Sequence, residues 1–207
     1  MRPLLTTHFP GLPHTAGHFG SGSEVLGFDT PQSRDHDWNP QVYLLLSGAD
    51  SDKVTQIHQV LADELPQTIE GYPTRTATDT GDSPRHRVTI TTIRGYLWQV
   101  LRWQRHQPLT VADWLSFPSQ LLRIVQDGAV HHDDLDWHAT RQHLRWYPYD
   151  VWLYLMAAAW QRIGQEDHLH GRAGQAGDDI GSRLIASRLV RDVMTLCFLQ
   201  EQRYAPY

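Results

Sequence analysis

A chain of 207 residues with 40% apolar and 20% charged side chains can build one sizeable core or two small subdomains of an ordinary globular protein. A formal net charge of −5 and a pI near 6.2 argue against tracking along nucleic-acid phosphates, and so favour a small substrate over extended DNA or RNA. No apolar run of about 18 residues suggests a membrane span, residues 1–8 are too short and polar for a signal peptide, and the single cysteine, Cys197, forms no intrachain disulfide and fits a reducing cytoplasm.

In chain order, Pro3, Pro10 and Pro13 interrupt any long N-terminal helix. Residues 24–29 and 36–47 read as two strands of a hairpin, joined by the turn composition Thr30-Pro31-Gln32-Ser33. Ser51-Asp52 caps a helix carrying Val54, Ile57, Val60, Leu61 and Leu65 at helical spacing. Tyr72 to Pro84, rich in Thr, Asp, Gly and Pro, reads as a loop. Residues 87–93 are rich in β-branched side chains and form a third strand, giving the order β-β-α-β.

From Gly95 onward the pattern is helical. Thr110 caps a helix with Val111, Trp114 and Leu115, and residues 120–126 form another after Pro118. Residues 128–134 read as a loop, with Asp136 capping the short helix that follows. Pro148 suits the start of a long helix with Trp152, Leu155, Met156, Ala159 and Ile163 on one face. The last helix directs Ile180, Leu184, Leu189, Val193, Leu196 and Cys197 inward. The expected architecture is therefore α/β (α+β): a small mixed sheet over residues 1–93, then a helical half over 94–207 that closes a cleft. Most of the eight tryptophans fill core and groove positions.

The chemistry concentrates early. Gly22-Ser23 makes a small turn whose backbone N–H groups can approach a phosphate. Downstream, Asp35 and Asp37 stand at i, i+2 at the head of the apolar run Gln41–Leu46, on one face of a strand, where they can share a divalent cation. His36 points to the opposite face and reads as structural.

Gly-Ser, a gap, then Asp-x-Asp entering an apolar strand resembles the nucleotidyltransferase superfamily of DNA polymerase β and the small antibiotic nucleotidyltransferases. The longer wording, "GSEVLGFDTPQSRDHDW" early and "GRAGQAGDDIGSRLIASRLVRDVMTLCFLQEQRYAPY" late, is similar to a bacterial family known as domain of unknown function 4037, from about residue 20 to the end. The superfamily resemblance implies a small mixed sheet and transfer of a nucleoside monophosphate from NTP to a hydroxyl or amine on a small-molecule or protein acceptor. Asp35 and Asp37 would be catalytic and hold Mg²⁺ (or Mn²⁺), a hard ion that takes carboxylates, waters and phosphate oxygens. Gly22 and Ser23 would hold the β- and γ-phosphates. The family resemblance also implies a chain shortened at its C-terminus.

One departure stands out. Superfamily members place a third acid on the next strand, and Val88-Thr89-Ile90-Thr91 offers none; Glu70, Asp79 and Asp82 are the remaining candidates. That keeps open a catalytically degenerate nucleotide-binding or regulatory protein, or a protein-interaction module built on the Trp-rich helical half. Gly171–Asp179 follows a helix and lacks Gly-Lys-Ser/Thr, so it makes a turn into the last helix rather than a P-loop, with Asp178 or Asp179 at that helix's N-terminus. Arg183, Ser187 and Arg191 form a polar stripe there. Either they are solvated, beside Asp179–Arg183 and Arg188–Asp192 pairs, or Arg172, Arg183 or Arg191 meets phosphate. The run from His131 to His138 invites a zinc or di-metal hydrolase reading, but adjacent ligands rarely suit one ion and no partner histidine pair is evident.

Overall fold

A four-stranded mixed sheet organises the N-terminal half of the computed structural model, which describes residues 1–20, 22–31, 41–76 and 85–206. Its strands are β1 (His14–Gly17), β2 (Val42–Leu46), β3 (Val88–Thr92) and β4 (Val130–Asp133), in the spatial order β3-β2-β1-β4. β1 is antiparallel to both neighbours, with Ala16 opposite Leu44 and also opposite His132; β2 and β3 are parallel, with Leu44 opposite Ile90. With its helical C-terminal half, the fold is α+β.

Side-chain alternation gives the sheet two apolar faces. On one, Ala16, Leu44, Leu46, Val88 and Ile90 join Leu5 and Phe9 near α1 (Arg2–His8) and Ile57 and Leu61 of α3 (Val54–Glu64) in a single buried cluster. Each fully buried Leu or Ile there contributes about 1.5–3 kcal/mol relative to exposure. On the other, Phe19 packs its ring 6.1 Å from Tyr43, 6.1 Å from Tyr96 and 5.5 Å from Trp137. Tyr96 lies on α4 (Ile93–Leu101) and Trp137 opens α7 (Trp137–His143).

The structure departs from the sequence reading in identifiable places. Residues 24–29 are not a strand: Ser23–Leu26 form the short helix α2, between an extended Gly22 and a left-handed Gly27 that ends it. The strand beside β2 is instead His14–Gly17. α3 is entered through the 3-10 turn Gly48–Lys53, tied by Lys53 to Asp50 at 2.6 Å, and not through a Ser51-Asp52 cap. α4 starts two residues early because the Thr92 hydroxyl accepts from Gly95 N. Residues 130–133, read as loop, complete the sheet, since the polar run finds its ladder partner in distant β1. Asp133, not Asp136, caps α7, accepting from the N–H groups of Trp137 and His138.

Two compact units divide the chain: Met1–Pro108 with Ile124–His143, and Leu109–Arg123 with Leu144–Tyr207. In the second, α5 (Val111–Ser116) begins with a reciprocal Thr110–Asp113 capping box. α6 (Ser119–Gln126) starts in this unit and ends in the first. α8 (Tyr149–Gln175) and α9 (Asp179–Gln200) form a helical hairpin. Its turn has Gly177 at φ +80 and Asp178 capping α9 through Gly181 N.

The inward side of α9 differs from the expected one. Asp192, Leu196 and Leu199 are buried, while Ile180 and Leu184 are 75% and 64% exposed and Val193 and Cys197 are exposed too. The charged Asp192 turns inward because Arg162 of α8 lies 3.5 Å away, and Arg188 reaches Glu166 of α8 at 3.0 Å. These pairs tie helix to helix and replace the expected Arg188–Asp192 pair within α9. Among the described residues no helix is long and apolar enough to cross a membrane.

Near the two-residue ladder Arg75–Thr76 with Arg85–His86, the His58 and His86 rings stack, 2.9 Å between His58 Nδ1 and His86 Nε2. Val88 N–H donates to His86 Nδ1, so the neutral His86 carries its proton on Nε2 and donates to His58. Burial pushes both rings below the ordinary histidine range. Because the unfolded chain then binds protons more readily, stability is full above about pH 6.5 and falls as the pH drops from there toward the depressed native values. The urea midpoint should therefore fall between about pH 7.5 and about pH 5.5 by less in His58→Phe/His86→Phe than in wild type; equal falls would remove this pair as the cause.

Candidate functional site

The Gly-Ser turn is built where β1 leaves the sheet. His18 N donates to Ala129 O at 2.8 Å, and the buried Phe19 anchors the following residues in the aromatic core. Gly20 then turns at φ +128, a conformation closed to side-chain-bearing residues, beside the Tyr43 ring. Gly22 is extended and caps α2, its carbonyl accepting from Val25 N and Leu26 N at 3.1 Å each. Val25 and Leu26 are buried and hold the helix down.

Carboxylates flank this turn. The Glu24 side chain folds over Gly22 so closely that a Cβ there would lie 2.2 Å from its Oε2. Glu24 also approaches His18, with His18 Nε2 3.5 Å from its Oε1. The Ser23 hydroxyl donates to Asp29 Oδ1 at 3.3 Å. An anion seated on the Gly22–Ser23 backbone must therefore swing Glu24 aside, a movement that a long flexible side chain allows. In the aromatic core around Phe19, the Tyr96 hydroxyl is buried without a hydrogen-bond partner among the described residues. Burial pushes its pKa up, so it is held as a neutral donor. Tyr43, at 5.4 Å ring to ring, is raised for the same reason.

A half-buried arginine, Arg141, holds the loop that packs against His18. Arg141 donates from Nε to Val125 O, from Nη1 to Gly128 O and from Nη2 to Asp127 O, and its guanidinium lies 5.4 Å over the Phe19 ring. Gly128 in turn sits against His18, where a Cβ would come within 2.1 Å of the His18 carbonyl.

The sequence-derived site residues distribute unevenly. Gly22 is the N-cap of α2 and Ser23 its first residue. Asp35 and Asp37 lie outside the described residues, as do Asp79 and Asp82. Glu70 is exposed at a tight bend, with φ +50. Arg172 on α8 and Arg183 and Arg191 on α9 are exposed and belong to the second unit. β3 carries no acid, and Thr89 accepts a hydrogen bond from Gln41 Nε2 at 3.1 Å. Sequence reasoning missed Glu24, Tyr96 and Arg141. Glu24, two residues past Gly22, was the one local signal; the other two are brought in by folding.

A family model described as Domain of unknown function (DUF4037) matches residues 114–207, the C-terminal part of the chain. The early Gly-Ser and Asp-x-Asp wording precedes that match. Neither a curated protein nor a solved structure matched the chain.

Proposed function

We propose that this chain is a Mg²⁺-dependent, nucleotidyltransferase-like protein that moves a nucleoside monophosphate from NTP to a hydroxyl or amine acceptor. The observation that carries the reading is the path from β1 through the glycine turn into the first residue of α2, with Asp35 and Asp37 in the segment leading to β2. Backbone N–H groups beside a glycine can approach a phosphate closely, and two carboxylates close in sequence suit a hard divalent ion that bridges phosphate oxygens. In this reading Gly22 and Ser23 hold phosphate, Asp35 and Asp37 hold Mg²⁺ or Mn²⁺, and the protein works in the cytoplasm.

The acid-free β3 favours a second reading, a nucleotide-binding protein of the same kind that has lost catalysis. Both share the first test: calorimetric titration of each NTP with Mg²⁺ into wild type and into Asp35→Asn/Asp37→Asn. The expected result is metal-dependent binding by the wild type that the double variant loses. Silence from every nucleotide overturns both readings and leaves the exposed apolar residues of α9 (Ile180, Leu184, Val190 and Met194) as the feature to explain, through a protein partner.

A further inference from the structure

We propose that His14, His132 and Asp134 form a binding site for one divalent transition-metal ion of the zinc class, built from none of the residues assigned above to nucleotide or Mg²⁺. Their candidate ligand atoms lie within 4.8 Å of one another, although His14 and His132 are 118 residues apart. Strand pairing brings them together: β4 lies antiparallel to β1, and Asp134 N donates to His14 O at 3.0 Å.

The donor chemistry is specific. His14 is 8% exposed, and its Nδ1 lies 2.9 Å from Leu12 O. A carbonyl only accepts, so Nδ1 bears the hydrogen and Nε2 presents its lone pair, the second-shell arrangement typical of metal-bound histidine. The His132 ring lies 4.3 Å from that of His14, and its Nε2 stands 2.7 Å from Asp134 Oδ2. Two imidazoles and one carboxylate select a borderline ion over Mg²⁺, which takes an oxygen shell. In a tetrahedral zinc site, ligand atoms are roughly 3.3 Å apart, so the 2.7 Å contact opens while the wider separations, up to 4.8 Å, close. Asp134, nearly half exposed, and the partly exposed His132 are free to make that adjustment, while His14 is fixed.

Three protein ligands leave a fourth position open. Beside His14 and Asp134 is a 260 Å³ cleft, also lined by Leu5, Phe9 and Leu12, which gives room for a water or a small ligand. The ion clamps the Leu12–His14 approach to β1 onto the edge strand β4.

The test uses untagged full-length chain stripped with a chelator, titrated with Zn²⁺ against a chromophoric competitor and with Co²⁺ for its visible absorption. Expected are one ion per chain, a tetrahedral Co²⁺ spectrum and a raised unfolding midpoint. Asp134→Asn and His132→Gln should each weaken binding roughly a hundredfold, and His131→Gln, which alters a neighbouring exposed histidine outside the cluster, should leave it unchanged. Circular dichroism confirms folding, and the more exposed Asp134→Asn carries the test if His132→Gln unfolds. No stoichiometric binding, or binding that survives Asp134→Asn, overturns the proposal. Since Mg²⁺ and nucleotide take no part, this result is independent of the Mg²⁺-NTP titration.

Discussion

Gly128→Ala is expected to destabilise the first unit by about 3 kcal/mol or more. Two costs combine. Gly128 has φ +86, where any L side chain is strained, and its new Cβ would stand 2.1 Å from the His18 carbonyl oxygen and 3.1 Å from Val25 Cγ1. The first obstacle is backbone, so no rotamer change relieves it. His18 is itself tied to Ala129 O, and the only escape is to part β1 from the β4 approach and displace the turn. Gly27→Ala is the internal control: φ is similar at +76, but nothing lies within 4 Å, so it should cost only the conformational strain, about 1 kcal/mol. Urea unfolding of both variants separates the two costs. Equal losses would show that the contact with His18 relaxes freely and that the junction is not rigid.

The junction also marks the boundary of what the sequence discloses. Elements announced by local chemistry were legible: the Thr110 cap, the Asp178 turn into α9, the apolar face of α3 and the β-branched strand β3. Each depends on residues within a turn or two of one another. Residues 130–133 were misread because Val-His-His-Asp has little strand character of its own and acquires it from β1. α2 was misread because Glu-Val-Leu looks extended until the flanking glycines are weighed as helix boundaries. The inward face of α9 is not legible because charged residues ordinarily face water, whereas Asp192 is buried beside Arg162. In the candidate site, Gly22 and Ser23 could be named from spacing and Glu24 lies two residues past Gly22, but Arg141, which holds the loop packed against His18, could not, since it depends on where the chain returns. The His14–His132–Asp134 cluster is invisible in the run from His131 to His138 for the same reason: His14 comes from the other end of the unit.

Arg141→Met is expected to cost about 3 kcal/mol, and Arg141→Lys nearly as much. The three carbonyls that Arg141 serves belong to Val125, Asp127 and Gly128, so one planar fork spans the whole exit of α6. Methionine keeps the stem but removes all three bonds, and an oxygen that finds no other donor costs about 1–3 kcal/mol where water cannot replace it. Lysine keeps the charge but offers a single point donor that cannot reach all three, and it gives up the planar contact over Phe19. Arg141 and Gly128 hold the same loop, one by pulling its carbonyls inward and the other by fitting against His18, so their effects should not add. The double variant should fall short of the sum of the singles, because once the loop has left its place the second change has little more to remove. Strict additivity in a double-mutant cycle would mean that the arginine and the glycine act on separate structures. The placing of His18 and Phe19 would then have to be sought in the Phe19–Tyr96–Trp137 aromatic core alone.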